Sequence, residues 1–312
     1  MKHLDVNPVI SIIVCTFNRS HLLRYCLRSL VVQTSAAQLF EVLVVDNGST
    51  DSTERIARLY AGRSGNVRVL AEPQIGLGHA RNRGWREARG EWVVYLDDDA
   101  MVEPGYVERA LWFINHHPFD GFGGPVLPWF KYGRPCWYPN AFVANDKGRD
   151  AVGPLPTDQF VDGGNCAFRR KTLAELSGFP TDIGMKGRRL SYGEEVLLQQ
   201  RLRAAGGTIG FDPELKVRHV ILPHKLKVGW LLRASFAHGR DSWVIFDAVP
   251  TLRRVGGAFV KALVPLVGLP AALARLRQKD YHIQNLCIDL GTPMFHEWGR
   301  VVGALSLQRR TS

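Results

Sequence analysis

The chain has 312 residues, 46% hydrophobic and 22% charged, an ordinary globular composition with room for one large domain and an appendage. Its five cysteines (Cys15, Cys26, Cys136, Cys166, Cys287) show no CxxC spacing and point to neither a disulfide framework nor a zinc site. With no signal-peptide pattern at the start, a reducing cytoplasm is the expected setting. The net charge of +11 is uneven: residues 1–220 hold 27 Lys+Arg against 24 Asp+Glu, and residues 221–312 hold 13 against 5. Such a basic tail seeks an anionic partner, nucleic acid or anionic lipid.

The first hundred residues alternate strand and helix. Residues 9–15 are a β-branched run expected to form a buried parallel strand. Leu22, Leu23, Cys26, Leu27, Leu30 and Val31 then recur on one helical face, with Asn18 or Ser20 as cap. Residues 40–45 are a second strand, and Thr50 or Ser52 starts a helix carrying Ile56, Leu59 and Tyr60. A third strand at 67–71, a helix at 79–88 and a fourth strand at 92–96 complete the series. This order predicts a mostly parallel, Rossmann-like α/β sheet flanked by helices, with ligands beyond the carboxyl ends of the strands. Residues 125–153, rich in Gly, Pro and aromatics, read as a functional loop. Residues 160–169 read as a strand broken at Gly163-Gly164, and 194–205 as a helix ending at Gly206. Residues 183–192 carry Gly184, Gly187, Lys186, Arg188 and Arg189 and are expected to be mobile and to close over a ligand.

Asp97-Asp98-Asp99 directly follows an apolar strand. Three adjacent carboxylates repel one another unless a cation neutralises them, and hard oxygen ligands suit Mn²⁺ or Mg²⁺. Asp46 ends the second strand at the same sheet edge, where it either makes an Asx turn or accepts the imide N–H of a pyrimidine. Gly76, Gly78 and Arg81 reach that edge too, with Arg81 suited to phosphate or ribose. Glu194 and Glu195 open a helix, where acidic residues favour the dipole and a general base would also be well placed. His219, after a short strand, is a further metal-ligand candidate.

Together these segments resemble the family 2 glycosyltransferases of GT-A fold, over about residues 9–220. The resemblance rests on Thr16-Phe17-Asn18-Arg19, the 45–51 segment around Asp46, Gly76 to Asn82, the Asp97–Asp99 triplet, Asp162-Gly163-Gly164-Asn165, and Gly193-Glu194-Glu195 with the following Arg201–Gly206 run. It implies an inverting transfer from a nucleoside diphosphate sugar, UDP-linked by preference. Thr16, with Asn18 beside it, and Asp46 would meet the base, and Arg81 the ribose and diphosphate. Asp97 and Asp99 would bind metal, Asp98 the ribose, and Gly163, Gly164 and Asn165 would line the donor sugar and acceptor side. The family's usual Glu-Asp is Glu194-Glu195 here, so Glu195 is the expected base, with Glu194 the other candidate. The Gln-x-x-Arg-Trp motif of processive synthases is absent, so one sugar per event is expected.

Residues 221–312 are expected to form a separate, mostly helical extension. Residues 262–274 are 13 without a charge, flanked by Arg253, Arg254 and Lys261 and by Arg275, Arg277 and Lys279. Thirteen residues are short for a spanning helix, so an interfacial segment on the inner face of the plasma membrane and a saccharide or lipid-linked acceptor are expected. The alternative for that segment is a buried helix pair. A nucleic-acid partner is not expected. The alternatives for the whole chain are a nucleotidyltransferase and a non-catalytic sugar- or nucleic-acid-binding protein.

Overall fold

Apolar strands and their crossover helices open the chain: β1 (Ile10–Thr16), α1 (Ser20–Leu30), β2 (Phe40–Asp46), α2 (Thr53–Ala61), β3 (Val67–Ala71), α3 (Leu77–Glu87) and β4 (Trp92–Asp97). The computed structural model describes residues 7–139, 147–187, 189–246 and 248–311. There follow β5 (Ala100–Val102), α4 (Tyr106–His116), β6 (Gly121–Gly123), β7 (Val126–Trp129), β8 (Gly153–Pro154), β9 (Asn165–Arg169), α5 (Arg170–Glu175), α6 (Glu194–Ala204), β10 (Ile209–Phe211) and β11 (Val217–Val220).

One sheet runs β3-β2-β1-β4-β9-β6-β10-β8, and a smaller one runs β5-β11-β7. β3, β2, β1 and β4 are mutually parallel, while β9 runs antiparallel to β4 and β6. The chain steps outward from β1 to β2 and β3, then returns to place β4 on the other side of β1. The gap between β1 and β4 is therefore the topological switch point, where open α/β sheets bind ligands. Period-two alternation divides the core between the faces. Ile10, Ile12 and Val14 pack with Leu23, Leu27 and Ile56 on one side, and Ile13, Leu43 and Val93 with Ala80, Leu198 and Leu202 on the other. Strands buried on both faces read as unbroken apolar runs, which is why they were legible.

Three local expectations change. Neither Asn18 nor Ser20 caps α1. Arg19 is its N-cap without a side-chain hydrogen bond, and Asn18 sits at φ 55° with its Oδ1 accepting from the amides of Thr50 and Asp51. The strand expected over 160–169 begins only at Asn165, because residues 161–164 turn toward the sheet edge. The 125–153 loop begins with strand β7 and ends at β8; its residues 140–146 lie outside the described residues.

The chain divides into two units. The first is Met1–Trp129, Ala144–Gly187 and Glu194–Val220; the second is Phe130–Val143, Arg188–Gly193 and Ile221–Ser312. The second unit thus recruits two segments from within the first 220 residues. It is helical, with α7 (Val228–Ile245), α8 (Leu252–Leu263), α9 (Leu269–Arg275) and α10 (Ile283–Thr311). α10 approaches α7 closely because Gly299 and Gly303 lie against the backbone of Phe236 and Arg240, where a Cβ would overlap it. Trp243 Nε1 donates to Arg300 O at 2.6 Å across the same contact.

The tail corrects the argument from length. Helical structure is continuous from Leu252 to Arg275, 24 residues, long and apolar enough to cross a membrane. Pro265 and Pro270 do not break it, because each sits in the first turn of a new helical segment, where the missing N–H has no partner to lose. Nor is the segment a buried helix pair: Ala258, Ala262 and Ala272 are buried, but Leu252, Val260, Val264 and Val267 are 55–90% exposed.

Candidate active site at the carboxyl edge of the sheet

Register brings the candidate residues together. Thr16 pairs with Asp46 across β1 and β2, Cys15 pairs with Asp97 across β1 and β4, and Leu96 pairs with Asn165 across β4 and β9. β5 follows the acidic triplet and pairs antiparallel with β11, which sets His219 opposite Ala100. Asp97, Asp99 and His219 each thereby offer a ligand atom, all within 4.8 Å of one another. His219 Nε2 lies 3.2 Å from Asp99 Oδ1. Two carboxylates and an imidazole are a donor set that Mn²⁺ or Mg²⁺ accepts, so these residues fit the metal the sequence calls for.

Arg19, to which the sequence pattern assigns no role, is the resident counter-charge. Its Nη1 lies 3.0 Å from Asp98 Oδ1 and 2.8 Å from Asp99 Oδ2. Burial pushes Asp98 up, Arg19 pulls it back and Asp99 pushes it up again, leaving it at about 6. Asp97 is also raised, by burial and then by Asp99. Asp98, expected to meet the ribose, is thus paired with Arg19. An isolated arginine after the first strand carries no signal for this pairing, which needs the sheet to form first.

The second group lies around α6. Its helix is fixed by Gln199, which is fully buried and exchanges hydrogen bonds with both backbone groups of Val161 at 2.9 and 3.0 Å. Arg81 is 3% exposed; its Nη1 donates to Glu194 Oε1 at 2.6 Å and its Nη2 to Gly163 O at 3.0 Å. Burial opposes the Arg81 charge, but Glu194 and then Asp97 and Glu195 together with its other negative neighbours outweigh it, so Arg81 stays cationic. This corrects the expectation that Arg81 faces ribose and phosphate: its guanidinium is engaged inside the protein. It also separates the two glutamates. Glu194 is buried and paired, whereas Glu195 is partly exposed and pushed up to about 8 by burial, then by Glu194 and Asp162, against the pull of Arg81.

The remaining candidates fall into two groups. Thr16 and Asp46 are buried at the edge, and Asp46 Oδ1 accepts from the Ser49 amide at 3.0 Å, closing the turn after β2. Asn47, overlooked in the sequence, donates to Glu72 O and Gln74 O and accepts from the Gly76 amide, tying the edge of β2 to the start of α3. Gly164 leaves room for Asp97, whose Oδ2 would meet a Cβ at 2.6 Å, and Gly163 does the same for Arg81. Asn165 does not line a ligand space. It is fully buried, accepts from Tyr106 Oη at 2.7 Å and donates to Leu215 O at 2.7 Å, so its amide is a structural strut.

The comparisons agree with this geometry. The family model described as glycosyl transferase family 2 matches residues 11–177. The glycosyltransferase AglE of Haloferax volcanii is 30% identical over 84% of this chain and 81% of its own length. A glucosyl-dolichyl phosphate glucuronosyltransferase of the same organism is 25% identical over 82% and 83%. Among solved structures, the mannosyltransferase PcManGT from Pyrobaculum calidifontis, in complex with GDP-Man and Mn²⁺, superposes with TM-score 0.59 at 18% identity, covering 96% of this chain and 87% of that one. S. aureus TarS 1–349 in complex with UDP-GlcNAc gives TM-score 0.54 at 16% identity, covering 96% and 92%. The mostly parallel sheet with the acidic triplet at its switch point is thus the GT-A fold, and the chain belongs to glycosyl transferase family 2.

Proposed function

We propose that this chain is an inverting hexosyltransferase that moves a sugar from a nucleoside diphosphate sugar, UDP-linked by preference, to a saccharide or lipid-linked acceptor. The observation that carries this reading is the division of labour at one sheet edge. Asp97, Asp99 and His219 converge, while Glu194 is spent on Arg81 and Glu195 is the partly exposed one of the two glutamates. Asp97, Asp99 and His219 would hold Mn²⁺ or Mg²⁺, which supplies Lewis-acid neutralisation of the leaving diphosphate. Thr16 and Asp46, register partners at the ends of β1 and β2, would meet the base.

Glu195 takes the proton from the acceptor hydroxyl as that oxygen bonds to the anomeric carbon. The bond from that carbon to the diphosphate oxygen breaks on the opposite face, so configuration inverts. A base whose affinity for protons is raised toward the working pH is suited to this step. Arg81 acts on it indirectly, by holding Glu194. Family membership sets aside the nucleotidyltransferase alternative.

Membrane docking belongs to the same proposal. The exposed apolar face of 252–275, with Arg253, Arg254, Lys261 and Arg275 on it and Arg277 and Lys279 just beyond, supports attachment to an anionic bilayer. Each such cation near an anionic surface is worth about 1 kcal/mol, so several act together with apolar insertion. One relative is named for a glucosyl-dolichyl phosphate acceptor, which supports a lipid-linked acceptor here.

The test is a panel of nucleoside diphosphate sugars with Mn²⁺, read first by thermal shift and then by product anomer in NMR. A UDP-sugar that raises the melting temperature only with metal, and yields an inverted product, supports the reading. Retention of configuration would overturn it. Salt-sensitive retention on DNA without sugar transfer would favour a nucleic-acid binder.

A further inference from the structure

The last part of the segment expected to close over a ligand, from Leu190 to Tyr192, is hydrogen-bonded and packed against α7. Within the second unit, α7 presents His238, Asp241 and Ile245 on one face, at helical spacing. Asp241 is 7% exposed, and its Oδ2 accepts from the Tyr192 amide at 3.1 Å. Arg240 Nη2 donates to Leu190 O at 2.7 Å, and the same guanidinium grips both oxygens of Asp241 at 2.7 and 2.9 Å. The Tyr192 ring lies flat on the His238 ring, centroids 3.8 Å apart and planes 7° from parallel. Gly193 has φ +101°, which favours glycine, and a Cβ there would run into Ile245. Upstream, Met185 O accepts from the Leu77 amide at 2.8 Å within the first unit. Arg188 lies outside the described residues.

The residue after Gly193 is Glu194, and the next is Glu195. α6 therefore starts directly where the gripped strap ends, and its first side chain is tied by Arg81. We infer that Asp241, Arg240 and His238 are positioning residues for the transfer: they fix residues 189–193 and so set where α6 starts and where the Glu195 carboxylate stands. On this view the C-terminal extension is part of the catalytic apparatus through the chain itself, in addition to any role as a membrane dock. The inference rests on Glu195 being the base. The energetic logic is that a catalytic group displaced by about 1 Å can cost roughly a hundredfold in rate.

The test uses the full chain with a donor sugar and Mn²⁺. Asp241→Ala is expected to speed amide exchange in residues 189–193 and in the first turn of α6. It should also lower kcat at least tenfold while leaving the calorimetric donor Kd within twofold. His238→Ala should behave likewise and His238→Phe, which keeps a flat ring against Tyr192, should restore most of kcat. Should Asp241→Ala fail to fold, the His238 pair carries the same comparison. Faster strap exchange with kcat within twofold of wild type would overturn the inference, as would equal loss in His238→Phe and His238→Ala. Failure of the base assignment reads differently: Glu195→Gln would then turn over normally, whatever the Asp241 variants do.

Discussion

The two units invert each other's surfaces. The first buries charge: Asp98, Asp99, Arg81 and Glu194 are all under 5% exposed. The second exposes apolar side chains: Leu252 is 90% and Val267 84% exposed. Either arrangement costs free energy in isolation, and each is informative because it runs against the ordinary partition of residues. In the first unit the cost is met internally, by Arg19 on the acidic triplet and Arg81 on Glu194. In the second, Ala258, Ala262 and Ala272 are buried while Leu252, Val260, Val264 and Val267 are exposed, and on that face the proposed lipid dock rests.

The largest effect is expected at the acidic triplet. Asp97→Asn and Asp99→Asn are expected to lower turnover by roughly a thousandfold and to abolish the thermal shift on adding Mn²⁺, because each removes a converging ligand atom. Undiminished turnover in excess chelator would defeat the metal assignment.

Next come the glutamates, whose variants should separate in opposite directions. Glu195→Gln should keep donor binding and lose about a hundredfold in kcat. It should also stabilise the protein at alkaline pH. A carboxyl raised to about 8 in the folded state favours folding less as pH climbs from the unfolded value to 8, and the amide is free of that penalty. Glu194→Gln leaves the buried Arg81 without its counter-ion, at a cost of about 3–5 kcal/mol, and should show first as a lowered melting temperature. Paired thermal melts and kinetics read both; an inactive Glu194→Gln beside a healthy Glu195→Gln would exchange the two roles.

A pH profile sharpens the same point with a smaller effect. The base must be deprotonated, and burial, then Glu194 and Asp162, push Glu195 up while Arg81 pulls it down. So kcat/KM should rise about tenfold per unit below pH 8 and level off above it. A profile flat from pH 6 to 9 would count against Glu195. The smallest expected effect is on the second unit: Leu266→Asp with Val267→Asp in the full chain should leave turnover on a soluble acceptor within about twofold and reduce flotation with anionic liposomes. Unchanged flotation would make the exposed face something other than a lipid dock.

The strands β1 to β4, and the helices between them, were legible because a strand buried on both faces must be apolar throughout and a helix covering it must repeat with the helical period. The metal-site candidates were legible because a carboxylate triplet after such a strand has few inexpensive explanations. Other assignments depended on partners distant in sequence. Arg81 and Glu194 are 113 residues apart, and Asn165 meets Tyr106 across 59, so nothing local told that one would be a buried ion pair and the other a strut. The same holds for residues 189–193: they end a stretch with the glycines and basic residues of a flap, and their partners Arg240 and Asp241 lie on α7, some fifty residues on. Pattern along the chain determined the sheet, its ligand edge and the identity of the acidic groups, because these follow from local periodicity and charge. Which of those groups stay open to a ligand and which are consumed by the fold was decided by tertiary packing, because hydrogen-bond partners and burial belong to the folded chain and not to any segment of it.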